Sequence, residues 1–239
     1  MDRWAGKTAV VTGAGAGMGA AIATTLTSAG CRVVGLIKSL ELLAPSLQAR
    51  FIPFARQCDI SNPEEVAAAF EWIDQICGGV DILVNNAGVL YEGQMTGRFY
   101  CGGFKRECIN TNFTAAVLCS RYAIASMKKH SIDGHIINIS SIAGHYIPFT
   151  STMNIYGSTK HAVSAFTSSL LNEIAHFDNR IKVTSISPGL TATKLFDSDY
   201  SDMPCLQPED IADAVQYVLS TPPHVNYQKS RIFIKKMGT

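Results

Sequence analysis

Short apolar segments alternate with longer segments of helical periodicity along the 239-residue chain. The apolar segments predict strands over residues 8–11, 32–37, 51–58, 81–85, 135–140, 181–187 and 231–235. The segments between them predict helices over 17–29, 40–49, 62–77, 106–129, 155–176 and 209–220. Strands that are apolar throughout are typical of parallel sheets covered by helices on both faces. The alternation therefore predicts an α/β fold with a doubly wound parallel sheet, whose sites lie at the carboxyl ends of the strands.

The composition supports a large core and excludes several classes of function. Hydrophobic residues make up 47% of the chain and charged residues 16%. No linker-like stretch divides the sequence, so we expect a single domain over residues 1–239. The net charge of +1, without a basic block, argues against nucleic acid as a partner. We expect no membrane span and no signal peptide, because no apolar run has the required length or position.

The cysteines and histidines indicate a reducing compartment and no metal. Seven cysteines, an odd number without a C-x-x-C pair, are typical of a reduced chain, so we expect a cytoplasmic location. His135, His145 and His161 do not combine with other ligand residues into a recognisable metal motif. We therefore expect these three histidines to be structural.

A glycine-rich turn, with Gly13, Gly17 and Gly19, follows the first predicted strand and precedes the first predicted helix. Glycine allows a tight turn, and the backbone N–H groups at a helix N-terminus can bind a pyrophosphate. The turn thus predicts a dinucleotide site, although a plain strand-to-helix turn has the same glycine spacing about as often. Asp59 at the end of the third strand is placed to meet an adenine, or else to cap the next helix.

Tyr156 and Lys160 are one helical turn apart, and Ser141 ends a strand 15 residues before the tyrosine. An ammonium at i+4 favours the phenolate form of a tyrosine, whose pKa is otherwise near 10. A serine hydroxyl can then hold a substrate oxygen while the tyrosine transfers a proton. A surface Tyr–Lys pair is the alternative. Ser140 competes with Ser141, because alternation along a strand lets only one of them face the site.

These motifs occur in one order along the whole chain, and the sequence resembles the classical short-chain dehydrogenase/reductase family. The resemblance rests on Thr12-Gly13-x-x-x-Gly17-x-Gly19, Asn85-Asn86-Ala87-Gly88, Asn112, Ser141, Tyr156-x-x-x-Lys160 and Pro188-Gly189. Segments such as Ala143-Gly144-His145 and Thr221-Pro222-Pro223 resemble the farnesol dehydrogenase-like branch. A Rossmann-like fold is implied.

The resemblance also implies roles for individual residues. Tyr156 would be the acid/base and Ser141 would orient the substrate oxygen. Lys160 would lower the tyrosine's pKa and contact the nicotinamide ribose, and Asn112 would hold a water that links Lys160 to solvent. The implied cofactor-binding residues are Gly13, Gly15, Ala16, Gly17, Met18, Gly19, Lys38, Ser39, Asp59, Ile60, Asn86, Ala87, Gly88, Tyr156, Lys160, Pro188, Gly189, Thr191 and Thr193.

The end of the second strand predicts NADP as the cofactor. No acid stands at Ile37 to bind a ribose 2′-hydroxyl, and the basic Lys38 favours a 2′-phosphate. The branch usually has two arginines here, whereas this chain has Lys38 and Ser39. Because lysine lacks the bidentate fork of arginine, the preference for NADP is expected to be weaker, with NAD also possible.

The residues after Gly189 predict a hydrophobic substrate. A short lid is expected at about 190–208, where Leu195, Phe196, Tyr200 and Met203 offer apolar contacts. An opposite wall is expected over 91–104, from Tyr91, Met95, Phe99, Tyr100 and Phe104. These aromatic residues fit core or dimer contacts equally well.

The sequence therefore predicts an NADP-dependent oxidoreductase that transfers a hydride between nicotinamide and a hydrophobic alcohol or carbonyl. A catalytically silent dinucleotide-binding module and a sugar epimerase or dehydratase are the alternatives. We also expect a homodimer or homotetramer that associates through the helices over 106–129 and 155–176. The second of these helices is apolar on more than one stripe, and such a helix needs a second partner besides its own sheet.

Overall fold

The computed structural model describes residues 1–40, 54–92, 102–147, 152–177, 180–195 and 203–233. Its strands are β1 (Thr8–Thr12), β2 (Arg32–Ile37), β3 (Ala55–Gln57), β4 (Ile82–Asn85), β5 (His135–Ile139), β6 (Lys182–Pro188) and β7 (Lys229–Ile232). Its helices of eight or more residues are α1 (Gly17–Ser28), α2 (Pro63–Cys77), α3 (Gly102–Ile109), α4 (Ala115–Lys129), α5 (Asn154–His176) and α6 (Pro208–Ser220).

The described strands form one parallel sheet in the order β3-β2-β1-β4-β5-β6-β7. Alternate residues of β1 enter opposite cores. Ala9 and Val11 pack on the side that holds Ile22 of α1 and Ile211 of α6. Val10 packs on the other side, in the core formed with α2, α4 and α5. Apolar layers on both faces confirm the predicted doubly wound α/β sheet.

The start of α2 shows how closely the local sequence sets a boundary. Asn62 caps the helix, since its Oδ1 accepts from the N–H of Glu64 at 3.0 Å and of Glu65 at 3.4 Å. Pro63 occupies the first turn, where a missing N–H costs nothing. Gly78 ends the helix with a left-handed φ of +76°.

Three predicted elements have other bounds than expected. The strand expected over 51–58 is Ala55–Gln57 within the described residues. The helix expected over 106–129 begins at Gly102 and is interrupted by a π-helical turn over Asn110–Thr114, which separates α3 from α4. The last strand is Lys229–Ile232 rather than 231–235. This strand lies at the edge of the sheet, and its residues alternate between exposed and half-buried. Because it is not a continuous apolar run, the apolar pattern of the sequence did not mark its position. The helix predicted over 40–49 lies almost entirely outside the described residues.

None of the described helices combines the length and apolarity that crossing a bilayer requires. Within the described part of the chain, no group of three or more His, Cys, Asp or Glu side chains is arranged to hold a metal ion.

His135 in β5 predicts a loss of stability in acid. It has no exposed surface, and its Nε2 lies 2.8 Å from Thr184 Oγ1. Burial, and then the charges of Lys182 and Arg3, lower the pKa of His135 from 6.5 to about 3. Between these values the unfolded chain binds a proton that the folded chain does not, so stability falls as the pH falls, by up to about 1.4 kcal/mol per pH unit.

We expect His135→Gln to reduce this pH slope, measured by urea unfolding between pH 4 and pH 7. His176→Gln, at an exposed position of α5, is the control and should keep the native slope. Equal slopes for the native protein and His135→Gln would contradict the prediction.

Candidate active site

A cavity of about 530 Å³ lies at the carboxyl ends of the central strands. It spans the point where the strand order reverses, between β1 and β4. Most of the predicted cofactor residues line it, namely Gly13, Ala16, Gly17, Met18, Gly19, Lys38, Asp59, Ile60, Asn86, Ala87, Gly88, Tyr156, Lys160 and Thr193. One space therefore runs from the glycine-rich turn to the tyrosine.

The glycine-rich turn brings the N-terminus of α1 to the cavity. Gly13 and Gly17 have left-handed φ values of +68° and +52°, which a side chain would strain. Ala16, the residue before the helix, provides no side-chain cap, and the first turn holds no acid. Free N–H groups and the helix dipole make this end of α1 suited to an anion. Gly15 is buried and does not line the cavity.

Asn86 and Thr12 tie the ends of β4 and β1 together beside this turn. The Asn86 Nδ2 donates to the Thr12 carbonyl at 2.9 Å. The Thr12 hydroxyl in turn accepts from the N–H groups of Asn86 and Ala87, at 3.0 and 3.1 Å. These three hydrogen bonds hold the ends of β1 and β4 together at the base of the cavity.

Tyr156 lines the other end of the cavity, and Ser141 lies close to it without being one of the lining residues. Tyr156 is 5% exposed, and the Ser141 side chain interacts with its phenol. Burial raises the pKa of Tyr156 to about 12, and the Ser141 hydrogen bond opposes this rise. Ser140 points elsewhere, since its hydroxyl donates to the Lys160 carbonyl at 3.1 Å and lies 3.1 Å from Ser164 Oγ. Of the two serines that the sequence left open, Ser141 is the tyrosine's partner.

Lys160 lies on the same helical face as Tyr156, with its Nζ 5.7 Å from the centre of the tyrosine ring. The ammonium donates to the Ile139 carbonyl at 3.0 Å, and burial lowers the pKa of Lys160 to about 8. The expected lowering of the tyrosine's pKa by Lys160 is not found. The ammonium is directed at a backbone carbonyl rather than at the phenol oxygen, and burial of Tyr156 has the larger effect.

Asn112 lies in the π-helical turn and is 3% exposed. Its Oδ1 accepts from the Val89 N–H at 2.8 Å, and its Nδ2 donates to the Val89 carbonyl at 2.9 Å and to Thr159 Oγ1 at 3.2 Å. A Cβ added at Gly88 would lie 3.4 Å from Asn112 Oδ1 and 3.6 Å from Lys160 Nζ. Asn112 therefore holds the chain after β4 against the helix of Tyr156, close to Lys160 but outside the cavity lining.

Lys38 and Asp59 form an ion pair at the cavity edge, with 3.1 Å between Nζ and Oδ2. The pair was not expected, because the sequence suggested separate roles for these residues toward ribose and adenine. Asp59 Oδ1 also accepts from the N–H and hydroxyl of Ser61, at 3.0 and 2.7 Å. Ser39 follows Lys38 but does not line the cavity.

The segment after β6 divides into a buried part and a part that reaches the cavity. The Gly189 N–H donates to the Ile232 carbonyl, and the hydroxyl of Thr191 donates to the Gly189 carbonyl. Neither residue lines the cavity, and nor does Pro188. Thr193 does, and its Cγ2 would lie 3.1 Å from a Cβ at Gly17. The sequence had grouped these four residues together.

An apolar cluster surrounds Tyr156 on the side away from the glycine-rich turn. It contains Cys108, Ala143 and Tyr156, with Val89, Leu90, Tyr91, Met153, Ile155 and Leu195 packed against them. Tyr91 belongs to the predicted wall and Leu195 to the predicted lid. Met203, also expected in the lid, is 53% exposed and is not part of this cluster. Met95, Phe99, Tyr100, Phe196 and Tyr200 lie outside the described residues, as does the side chain of Phe104.

Comparison with known proteins assigns the chain to a family. The sequence model of a family described as short chain dehydrogenase matches residues 7–204. The chain belongs to this family. A farnesol dehydrogenase of Aedes aegypti is 45% identical over 100% of this chain and 99% of its own length. A mouse protein, dehydrogenase/reductase SDR family member 11, is 41% identical over 94% of this chain and 93% of its own.

Solved structures agree with the family and its Rossmann-like fold. A short chain dehydrogenase from Burkholderia cenocepacia in complex with NADP superposes with a TM-score of 0.84, at 27% identity and covering 96% of this chain and 97% of its own. The closed form of a serine dehydrogenase complexed with NADP⁺ gives a TM-score of 0.83, at 28% identity and 94% coverage of both chains.

The structure of this short-chain dehydrogenase also adds residues that sequence reasoning did not single out. They line the cavity and are Leu36, Cys58, Val89, Leu90, Glu107, Thr111, Ile139 and Lys194. Ser140, which the sequence left open as the competitor of Ser141, also lines it. Leu36, Cys58 and Ile139 lie at the ends of predicted strands or one residue before them, so their position beside a site was within reach of the sequence. Thr111 directly precedes Asn112, whereas no motif in the sequence marks Glu107.

Proposed function

We propose that this short-chain dehydrogenase is an NADP-dependent oxidoreductase that transfers a hydride between nicotinamide and a hydrophobic alcohol or carbonyl. The observation that carries the proposal is the continuous cavity that joins the glycine-rich turn to Tyr156 and Lys160. The Ser141 hydroxyl, which interacts with the phenol of Tyr156, would be the second polar group for a substrate oxygen. The NADP complexes of two structural neighbours support the choice of cofactor.

The residues present fit a dinucleotide. The uncapped N-terminus of α1 suits the pyrophosphate, and the buried Oδ1 of Asn86 has no hydrogen-bond partner among the described residues. Gly13, Gly17, Gly19 and the segment Asn86–Gly88 would hold the nucleotide, and Lys160 would contact the nicotinamide ribose. When bound, NADP(H) supplies or accepts the hydride.

The protein's own residues would handle the proton. Since the pKa of Tyr156 is raised to about 12, the phenol is protonated at neutral pH, the form that a carbonyl reduction consumes. Ser141 would orient the substrate oxygen toward that proton. The buried Lys160, with a pKa lowered to about 8, is the nearby base or acid through which the proton would be replaced. Asn112 would hold this region of the chain in place beside Lys160.

The substrate would lie in the apolar cluster around Tyr156. The side chains around this space are mainly apolar, which favours an apolar substrate. They include Val89, Leu90, Tyr91 and Leu195. The name of the mosquito relative, a farnesol dehydrogenase, points in the same direction. We propose that residues at about 190–208 form a lid, anchored where Thr191 pairs with Leu206.

Turnover of a panel of hydrophobic alcohols and carbonyls, each with NADPH or NADP and with NADH or NAD, tests this function. Farnesol, farnesal, shorter alcohols and polar hydroxy acids would separate the substrate classes. We expect turnover of apolar members, at higher kcat/KM with the phosphorylated cofactor. Dinucleotide binding without turnover of any member would favour the silent binding module instead.

Lys38→Asp is expected to shift cofactor preference from NADP toward NAD. The new carboxylate would repel a 2′-phosphate and could accept a hydrogen bond from a 2′-hydroxyl. We expect the ratio of kcat/KM for NADPH over NADH to fall by roughly 100-fold, which corresponds to about 2.8 kcal/mol. Lys194→Asp, another basic residue at the cavity, is the matched control. An unchanged ratio would show that Lys38 does not read the ribose.

We also propose a cytoplasmic homodimer or homotetramer that associates through α3–α4 and α5. Phe113 and Phe166 meet edge to face at 6.4 Å between these helices, and both remain partly exposed. Two-fold association would cover them by a self-complementary patch. Free thiols at all six described cysteines support a reducing compartment.

Sedimentation at micromolar concentration is expected to show a species of two or four chains. If Phe166 lies in the interface, Phe166→Glu should shift the sedimenting species toward the monomer. Ile76→Glu, at an exposed position of α2, should leave the species unchanged. A single native species near 25.8 kDa would contradict the proposal.

A further inference from the structure

Glu107 lies at the cavity edge between two residues that the proposed function already uses. It comes from α3, and its Oε1 is 3.4 Å from Lys38 Nζ. Glu107 also lies near the Tyr91 phenol, and burial together with this carboxylate raises the pKa of Tyr91. All three residues line the cavity. Glu107 thus contacts both the ribose-reading lysine and the wall beside Tyr156.

Lys38 does not present a free positive charge at this edge. Its Nζ lies 3.1 Å from Asp59 and 3.4 Å from Glu107, so one ammonium is matched with two carboxylates, and the cluster has a net charge of −1 (1 − 2). A phosphate that approaches Lys38 is therefore attracted by one charge and repelled by two. The charges are partly exposed, so solvent screens but does not remove this repulsion.

We propose that Glu107 is a specificity-determining residue that weakens the preference of the site for a 2′-phosphorylated dinucleotide. The inference rests on the proposed function, since it requires a dinucleotide whose ribose lies near Lys38. It would give a structural reason for the weaker preference for NADP that is expected of a chain with lysine, rather than two arginines, at this position.

Glu107, rather than Asp59, is the carboxylate through which this can be tested. Asp59 also accepts two hydrogen bonds from Ser61, so replacing it would disturb the loop after β3. The side chain of Glu107 is 35% exposed, and glutamine has the same shape without the charge. Glu107→Gln therefore removes the repulsion with little change in packing.

The experiment compares adenosine 2′,5′-bisphosphate with 5′-AMP, two probes that differ only in the 2′-phosphate. Binding of each is measured by isothermal titration calorimetry at low salt, with no turnover required. We expect Glu107→Gln to strengthen binding of the bisphosphate by about three- to ten-fold. Binding of 5′-AMP should change by less than about two-fold, because the lost charge faces the 2′ position.

A control variant isolates the charge at this position. Glu71→Gln removes a charge from an exposed position of α2 and should leave both affinities unchanged.

The outcomes separate this inference from the function on which it rests. If both probes bind but Glu107→Gln leaves the ratio unchanged, or weakens the bisphosphate, Glu107 does not act against the 2′-phosphate and the inference is overturned. If the native protein binds neither probe nor NADPH, the proposed function fails and the inference fails with it.

Discussion

Tyr156→Phe is expected to lower kcat by about 10²- to 10⁴-fold, the usual contribution of a positioned general acid or base. The substitution removes one hydroxyl and keeps the ring that packs with Cys108 and Ala143. The hydroxyl interacts with Ser141 and is the only proton donor on that ring. Removing it leaves the substrate oxygen without its proton source, while the apolar packing is retained.

Binding of the cofactor should survive this change. The glycine-rich turn and the segment after β4 line the part of the cavity proposed for the nucleotide, and neither contains Tyr156. We therefore expect the Kd of NADPH, measured by fluorescence, to change by less than about three-fold, or under 0.7 kcal/mol. The loss should appear in kcat rather than in binding.

Tyr217→Phe is the matched control. Tyr217 lies in α6 and is 59% exposed, and its hydroxyl lies 3.0 Å from that of Tyr227. It loses the same atom far from the cavity and should keep native turnover. If Tyr156→Phe retained more than a tenth of the native kcat, a loss of less than about 1.4 kcal/mol, the proton-transfer role would be wrong.

Most of the fold was accessible from the sequence because its strands are buried on both faces. Such strands form continuous apolar runs, as in β2 and β5, and their limits were predicted to within a residue. The edge strand β7 has only one neighbour and alternates between exposed and half-buried residues. Its polar composition matches a loop as well as a strand, which is why its position was predicted two residues late.

The candidate site was less accessible, because its details depend on contacts between distant residues. The choice between Ser140 and Ser141 depends on which face of β5 looks toward α5, and alternation alone does not specify a face. The pairing of Lys38 with Glu107 joins residues 69 positions apart. The π-helical turn that carries Asn112 has no distinct sequence signal in a segment that otherwise reads as one helix.

The electrostatics of Tyr156 show the same limit. A tyrosine and a lysine at i and i+4 share a helix face, and this much was predicted. The direction of the lysine's ammonium, toward the Ile139 carbonyl, and the depth of burial of the phenol are properties of the folded chain. Burial, rather than the spacing to Lys160, sets the raised pKa of the tyrosine.

Gly19→Ala is expected to damage both the fold and the nucleotide site. A Cβ at Gly19 would lie 2.2 Å from the Gly13 carbonyl oxygen and 2.5 Å from Asn86 Nδ2. The Gly13 oxygen belongs to the backbone, and the Asn86 Nδ2 is held by its hydrogen bond to the Thr12 carbonyl. Neither atom can move away from the new Cβ without a loss of stability. Overpacking of this kind costs about 1–3 kcal/mol of stability.

The same collision would displace the turn that presents the N-terminus of α1 to the cavity. We expect the affinity for NADPH to fall by roughly 100-fold, which corresponds to about 2.8 kcal/mol. Thermal unfolding followed by circular dichroism and NADPH titration at a temperature where the variant is folded would measure the two effects separately.

Gly88→Ala is the control for stability, because it also lies at the cavity. Its added Cβ would meet Asn112 Oδ1 at 3.4 Å and Lys160 Nζ at 3.6 Å, ordinary contact distances. We therefore expect its Tm to stay close to that of the native protein, while Gly19→Ala unfolds at a lower temperature. A Gly19→Ala protein with native Tm and native NADPH affinity would show that the turn can open without cost, and that its close approach to Gly13 is not what holds the nucleotide site together.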